Sequence, residues 1–179
     1  GPFDELWIQP AAGDAGGALG AAFHGYHHIL EQPRTVDGAH DKMQGTYLGP
    51  AFDDDEVGAW LDEQGYPHEV LDPETRSAAI AQRLADGRIV AVVQGRMEYG
   101  PRALGNRSIL ADPRSRTMQA DLNLRTKQRE SFRPFAPVVL EEATGDYFTK
   151  DHPSPFMLMT YPVRPDKIDE IPAPTHVDG

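Results

Sequence analysis

Apolar and polar residues follow short periods along this chain, and these periods predict its helices and strands. The apolar residues 6–8 predict a strand that ends at Pro10 and leads into a glycine-rich turn. The small and apolar residues 18–30 predict a helix that packs closely against another surface. Residues 33–55 show no sustained period, so they are predicted to form a linker.

The middle of the chain has the clearest patterns. Residues 53–65, DDDEVGAWLDEQG, predict a helix whose acidic start suits the positive end of the helix dipole. Residues 74–87 predict a second helix that Gly87 ends, and residues 88–94, RIVAVVQ, predict a buried strand directly after it.

The C-terminal half predicts a mixture of both element types. Residues 116–132 favour a helix, residues 141–148 a helix or turn, and residues 133–140 and 155–163 two further strands. Helices and strands that alternate in this way indicate an α/β protein.

Composition narrows the class of protein. The 179 residues are 39% hydrophobic and 25% charged, which suits a packed core in one domain, or in one domain with a fragment of another. No apolar run approaches the roughly 20 residues of a membrane helix, and the N-terminus shows no signal peptide. The chain has no cysteine, which is typical of a reducing compartment, so we predict a cytoplasmic protein that does not enter a membrane.

Charge is distributed unevenly along the chain. Residues 95–133, here called the basic segment, carry nine Lys or Arg against four Asp or Glu, an excess of five positive charges. Because the whole chain has a net charge of −11, the remainder carries −16. A basic segment on an acidic protein suits a small anionic ligand better than a long polyanion such as nucleic acid.

Arg102 is the first candidate ligand-binding residue. It follows the predicted strand 88–94 and is flanked by Gly100, Pro101 and Gly105, in a place where α/β proteins commonly bind ligands. Its guanidinium can hold phosphate or carboxylate through two parallel hydrogen bonds. Further along the basic segment, Lys127 can supply a point charge to a phosphate.

The other charges of this segment have simpler interpretations. We expect four arginines to pair with nearby acids or to lie in solvent: Arg114, Arg116, Arg125 and Arg129. We expect Glu98 to hold an arginine in its rotamer through a salt bridge, in preference to acting as a catalytic base.

Three motifs carry a resemblance to a known family. GRMEYGPRALGNRSILADPR (residues 95–114) and LNLRTKQRESFRPFAPVVL (residues 122–140) resemble the C-terminal region of NodU/CmcH-type O-carbamoyltransferases, and PAAGDAGGALGAA (residues 10–22) resembles their glycine-rich motif. The resemblance implies a YrdC-like twisted mixed sheet with flanking helices in residues 47–179. It also implies that residues 1–46 are the strand-turn-helix end of a Kae1-like (ASKHA) domain.

The resemblance also implies a reaction. Carbamoyl phosphate and ATP, with Mg²⁺, would form carbamoyl adenylate, and the carbamoyl group would pass to a hydroxyl of a small-molecule acceptor such as a natural product or saccharide. Arg102 and Lys127 would be catalytic. The residues that bind carbamoyl phosphate and the adenylate would be Arg102, Lys127, Arg133, Arg96, Asn106 and Arg107.

A metal site is implied as well, in the Kae1-like part. Asp14 would be the aspartate ligand of Fe²⁺ or another divalent metal, whose histidine ligands lie upstream in the family. His24, His27 and His28 are interpreted instead as partly exposed helix residues. The YrdC-like part is expected to be incomplete, so this chain alone is expected to be inactive.

Two other functions remain open at this stage. One is a non-catalytic, YrdC-like RNA-binding module, for which the basic segment offers only Tyr99 and Phe132 as stacking aromatics. The other is an enzyme similar to threonylcarbamoyl-adenylate synthase. The acceptor and the oligomeric state are open, with a homo-oligomer as one alternative.

Overall fold

The structure is a computed structural model that describes residues 2, 4 and 6–179. The chain forms two compact units. The first unit comprises Gly1–Gly65 and Val93–Arg107, and the second comprises Tyr66–Val92 and Ser108–Gly179.

Two α-helices and a 3₁₀ turn, Gln44–Thr46, lie in the described part of the first unit. Helix α1 spans Asp14–His24 and continues as a π-helical turn over Gly25–Ile29, so the predicted helix is confirmed and begins earlier than expected. The close packing predicted for it is wrong, since α1 has no buried residue.

Helix α2, Asp54–Gln64, confirms the predicted helix with its acidic start. The Asp53 side chain accepts a 2.7 Å hydrogen bond from the Glu56 N–H, which satisfies a donor of the first turn. At the other end Gly65 has a φ of 69°, the left-handed conformation that glycine adopts easily.

The second unit contains α3 (Pro73–Ala85), α4 (Met118–Asp121) and α5 (Thr144–Tyr147). Helix α4 continues as a π-helical turn over Leu122–Lys127, which confirms the helix predicted there. A 3₁₀ turn, Glu141–Ala143, precedes α5, as the prediction of a helix or turn allowed.

Strands β1 (Val90–Val93) and β2 (Arg107–Leu110) pair in a two-stranded antiparallel sheet. The strand predicted at residues 88–94 is therefore confirmed, but its complete burial is wrong. Alternate residues of β1 are exposed, and Val93 is 65% exposed. The α/β class is confirmed, while the larger mixed sheet is absent from the described residues.

Three predicted strands are wrong. Residues 6–8 and 133–140 form no ladder, and residues 155–163 make only an isolated bridge between Val163 and Phe148. A strand needs a hydrogen-bonded neighbour, and Pro134 and Pro137 each lack the N–H that a ladder requires. Val138 is accordingly 85% exposed.

The core of the second unit is small. Met118, Leu122 and Ala173 form its buried apolar cluster, Ile89, Ala111 and Phe135 pack partly buried against them, and Ile171 is buried as well. A mainly apolar cavity of about 390 Å³ lies next to this core, between Met118, Phe135 and Ile171. Each helix in the described ranges is too short or too polar to cross a lipid bilayer.

Candidate anion site

The residues between the two strands form a closed loop, residues 94–106, here called the arginine loop. Gly100 and Gly105 both lie at positive φ, 117° and 115°, where a residue with a side chain would be strained. Gly100 also meets Ala11 so closely that an added Cβ would lie 3.2 Å from the Ala11 Cβ. These glycines are therefore required by the path of the loop itself.

Glu98 lies inside this loop and is only 3% exposed. Its Oε1 accepts hydrogen bonds from the N–H groups of Leu104, at 2.7 Å, and Asn106, at 2.8 Å. Hydrogen bonds to a charged group contribute about 1.5–3 kcal/mol each. The Glu98 carboxylate therefore links the first half of the loop to its second half.

The ionisation of Glu98 reflects these contacts. Burial by itself would raise the pKa of the Glu98 carboxyl, but backbone N–H groups, first that of Leu104 and then that of Asn106, hold it below its ordinary value. Among the described residues, Oε2 has no hydrogen bond, and the Arg107 Nε lies 3.5 Å from it. The salt bridge expected for Glu98 is confirmed, with Arg107 as the partner.

Residues 46–50 bind the arginine loop through backbone hydrogen bonds. The Tyr99 N–H donates to the Thr46 carbonyl at 2.6 Å, while Gly49 donates to the Met97 carbonyl and Met97 to the Pro50 carbonyl, each at 2.9 Å. The sequence pattern assigned this segment to a linker. The residue type in this segment that relates to the contact is Gly49: a Cβ added there would lie 2.9 Å from the Met97 Cβ, so a larger residue would not fit.

Three of the predicted ligand-binding residues make bonds within this unit. The Arg96 Nη2 donates to the Leu48 carbonyl at 3.1 Å, and the Asn106 Nδ2 donates to the Arg96 carbonyl at 2.7 Å. The Arg107 Nη2 donates to the Gly100 carbonyl at 3.1 Å. The side chains of Arg96, Asn106 and Arg107 therefore support the loop.

Arg102 differs from them. Its side chain is exposed and has no hydrogen-bond or ion-pair partner among the described residues. A guanidinium without an anion, on a backbone fixed from both sides, can take a phosphate or carboxylate without first breaking a bond within the protein.

The second unit presents its own group of cations. Lys127, Arg125 and Arg133 are exposed, and within the described ranges their side chains have no hydrogen-bond or ion-pair partner. Buried Asn123 supports this region, since its Nδ2 donates to the carbonyls of Ser131, at 3.2 Å, and Arg133, at 2.7 Å.

Two other arginines of the basic segment, Arg114 and Arg116, are paired with acids, as expected, whereas Arg129 is half-buried and bonded to an amide. The Arg114 guanidinium lies 2.7 Å from the Asp112 carboxylate and lowers the pKa of that carboxyl. Arg116 lies 2.6 Å from Asp169, a partner that sequence proximity did not suggest. Arg129 donates to the Asn123 Oδ1 at 2.6 Å and lies over the Phe135 ring.

Among the described residues, Asp14 is not part of a metal site. It is an exposed residue of the first turn of α1, and the described His, Asp and Glu side chains form no group of three or more that could hold a metal ion. His24 and His28 stack on one face of the helix, with ring centroids 5.1 Å apart, and both are exposed. Their interpretation as exposed helix histidines is confirmed.

Comparison with known proteins adds an independent line of argument. Residues 81–179 match the family described as Carbamoyltransferase C-terminus. The chain is 51% identical over 166 residues to an uncharacterized protein of Synechocystis sp., sll1178, which covers 92% of this chain and 27% of that protein.

Two further relatives have names that refer to nodulation. The nodulation protein NolNO of Sinorhizobium fredii is 41% identical and the nodulation protein U of Rhizobium tropici 37% identical, each over 100% of this chain. The chain spans 26% of the length of the first protein and 28% of the second.

Proposed function

Because this chain belongs to the carbamoyltransferase family through its C-terminal region, we propose that it supplies the carbamoyl phosphate site of a carbamoyl transfer reaction. The resemblance to NodU-type proteins is confirmed by relatives named nodulation protein U and NolNO. The proposed acceptor is a hydroxyl of a small molecule, and the proposed carbamoyl donor to it is carbamoyl adenylate.

One observation carries the assignment of the site. Among the described residues the Arg102 guanidinium has no protein partner, whereas the nearby side chains of Arg96, Asn106 and Arg107 donate hydrogen bonds to carbonyl groups. A doubly charged phosphate suits that guanidinium, because two parallel N–H donors match two phosphate oxygens. On the family resemblance, Lys127 and Arg133 are likewise proposed to bind phosphate groups of the substrates.

The proposed chemistry requires positioning and charge stabilisation more than a nucleophilic side chain. Overall, carbamoyl phosphate, ATP and one water would give carbamoyl adenylate, phosphate and pyrophosphate. The acceptor oxygen would then attack the carbamoyl carbon, AMP would leave, and the hydroxyl proton would be released. The lack of cysteine is compatible with this scheme.

Mg²⁺ is proposed to arrive with the ATP phosphates, where it would neutralise charge on the leaving pyrophosphate. The described residues offer no preformed cluster of three ligands for it, which suits an ion held largely by substrate phosphates. The boundary near residue 46, the YrdC-like and Kae1-like parts and a cytoplasmic location likewise remain proposals.

Calorimetric titration of this chain with carbamoyl phosphate tests the assignment. We expect binding that is tighter than binding of inorganic phosphate, and we expect Arg102→Ala to weaken it by about 10- to 100-fold, the equivalent of one charged hydrogen-bonding group. Arg116→Ala is the matched control, since Arg116 is already paired with Asp169. Equal affinity in wild type and Arg102→Ala would refute the assignment of Arg102.

A further inference from the structure

We propose that Glu98 is a positioning residue for anion binding: its buried carboxylate fixes the arginine loop in the shape that presents Arg102. This inference rests on the proposed function, because the ligand in question is the carbamoyl phosphate assigned above. The family match alone does not assign a role to Glu98.

Glu98 lies close to Arg102 along the chain and bonds to the backbone beyond it. Glu98 precedes Arg102 by four residues, and its Oε1 holds the N–H of Leu104, two residues after Arg102. The side chain of Glu98 thus joins the two ends of a short loop with Arg102 in its middle. The second bond, to the Asn106 N–H, fixes the exit of that loop.

Arg107 makes a second set of contacts, which hold the N-terminal part of the loop. The Arg107 Nη2 donates to the Gly100 carbonyl at 3.1 Å, while its Nε lies 3.5 Å from the Glu98 Oε2. Gly100 and Leu104, one on each side of Arg102, are therefore both held by the same pair of side chains. A loop ordered before binding loses less conformational entropy when the ligand arrives.

The Glu98 carboxylate binds groups other than the Arg102 guanidinium. The carboxylate is bound by two backbone N–H groups and lies next to Arg107, and among the described residues it makes no ion pair with Arg102. An acidic residue close to an anion site would normally repel the ligand. Here neighbouring donors partly offset that charge, so Glu98 can shape the loop while the Arg102 guanidinium remains available.

Three variants separate this role from a general loss of stability. Glu98→Ala removes the acceptor of both N–H groups, whereas Glu98→Gln keeps an oxygen that can accept both. Asp53→Ala is the matched control, because it removes the cap of α2 in the same unit without touching the arginine loop.

The first measurement is amide hydrogen exchange at Leu104, Asn106 and Glu56. We expect Glu98→Ala to accelerate exchange at Leu104 and Asn106 by about tenfold or more and to leave Glu56 unchanged, because only the first two amides bind its carboxylate. Asp53→Ala should have the reverse effect. Unchanged protection of Leu104 and Asn106 in Glu98→Ala would overturn the inference.

The second measurement is the affinity for carbamoyl phosphate by calorimetry. We expect Glu98→Ala to weaken binding by about tenfold and Glu98→Gln to restore it to within about threefold of wild type, while Asp53→Ala binds as wild type does. If wild type binds and Glu98→Ala binds equally well, the positioning role is wrong. If wild type binds no carbamoyl phosphate, the proposed function fails, and hydrogen exchange still decides whether Glu98 orders the loop.

Discussion

The arginine loop of the first unit and residues 118–135 of the second unit present cations in the same general way but use different chemistry. In each, a buried polar side chain bonds to the backbone and exposed basic residues lie nearby: Glu98 with Arg102, and Asn123 with Lys127 and Arg133. Glu98 is a charged acceptor of N–H groups, whereas Asn123 is a neutral donor to carbonyl groups.

This difference has consequences for energy and for pH. The Asn123 amide has partners on both sides, since Arg129 donates to its Oδ1 while its Nδ2 donates to two carbonyls. Within the described part of the chain, Glu98 Oε2 has no hydrogen bond, and the backbone bonds of Glu98 favour its ionised form. The contribution of Asn123 to stability is therefore independent of pH over the range where carboxylates titrate, whereas the contribution of Glu98 depends on pH.

The largest effect on stability is expected at Asn123. Asn123→Ala should lower the free energy of unfolding by about 2–3 kcal/mol, because this fully buried side chain makes three hydrogen bonds, to the Ser131 and Arg133 carbonyls and from the Arg129 guanidinium, and all three are lost. Chemical denaturation measures this loss. A loss below about 0.5 kcal/mol would show that these bonds are replaced by water and would remove the parallel with Glu98.

The next effect concerns the exposed cations themselves. Lys127→Ala should weaken carbamoyl phosphate binding by about three- to tenfold, less than Arg102→Ala, because an ammonium acts as a point charge while a guanidinium forms two directed bonds. Calorimetry on both variants compares the two regions directly. Arg125→Ala serves as the neighbouring exposed control, and a larger effect at Lys127 than at Arg102 would reverse the order of importance.

A smaller effect is expected when the pH is lowered. The pKa of Glu98 is depressed in the folded protein, so its ionisation contributes stability that is present above the ordinary pKa of glutamate. That contribution should be lost as the pH falls from about 4.3 through the lower folded pKa. Urea unfolding from pH 3 to pH 7 should show wild type and Glu98→Gln converging at the acid end.

A constant gap between those two curves would mean that the charge of Glu98 contributes nothing to folding. Asp112→Asn provides the comparison in the second unit, where the carboxyl pKa is lowered by the bond from Arg114. Its effect should likewise fade towards acid pH, in the same direction.

The smallest effect should come from the exposed pair of Arg116 and Asp169, whose side chains are 72% and 87% exposed. Arg116→Ala is expected to change the free energy of unfolding by less than about 0.5 kcal/mol. Arg107→Ala should cost more, about 1–2 kcal/mol, since it removes a bond to Gly100 and the cation nearest to buried Glu98. Equal losses would show that burial does not separate the two pairs.

Local signals in the sequence predicted much of the secondary structure. The acidic start of α2, the glycine after α3 and the helical period of residues 116–132 all correspond to observed elements. These signals work because caps and helical periods depend on residues a few positions apart. The strands at 6–8, 133–140 and 155–163 failed for the opposite reason, since a strand requires a distant partner that composition does not specify.

In the candidate site, too, some features follow from the local sequence and others from contacts between distant residues. The sequence by itself determined that arginines cluster around Gly100 and Gly105, that the cluster is basic within an acidic chain, and that its motifs belong to the carbamoyltransferase family. Only the tertiary structure decided which of those arginines are engaged: Arg96 and Arg107 bind carbonyl groups, whereas Arg102 remains exposed. The physical reason is that residue type sets what a guanidinium can bind, while the path of the backbone decides which acceptors come within hydrogen-bonding distance.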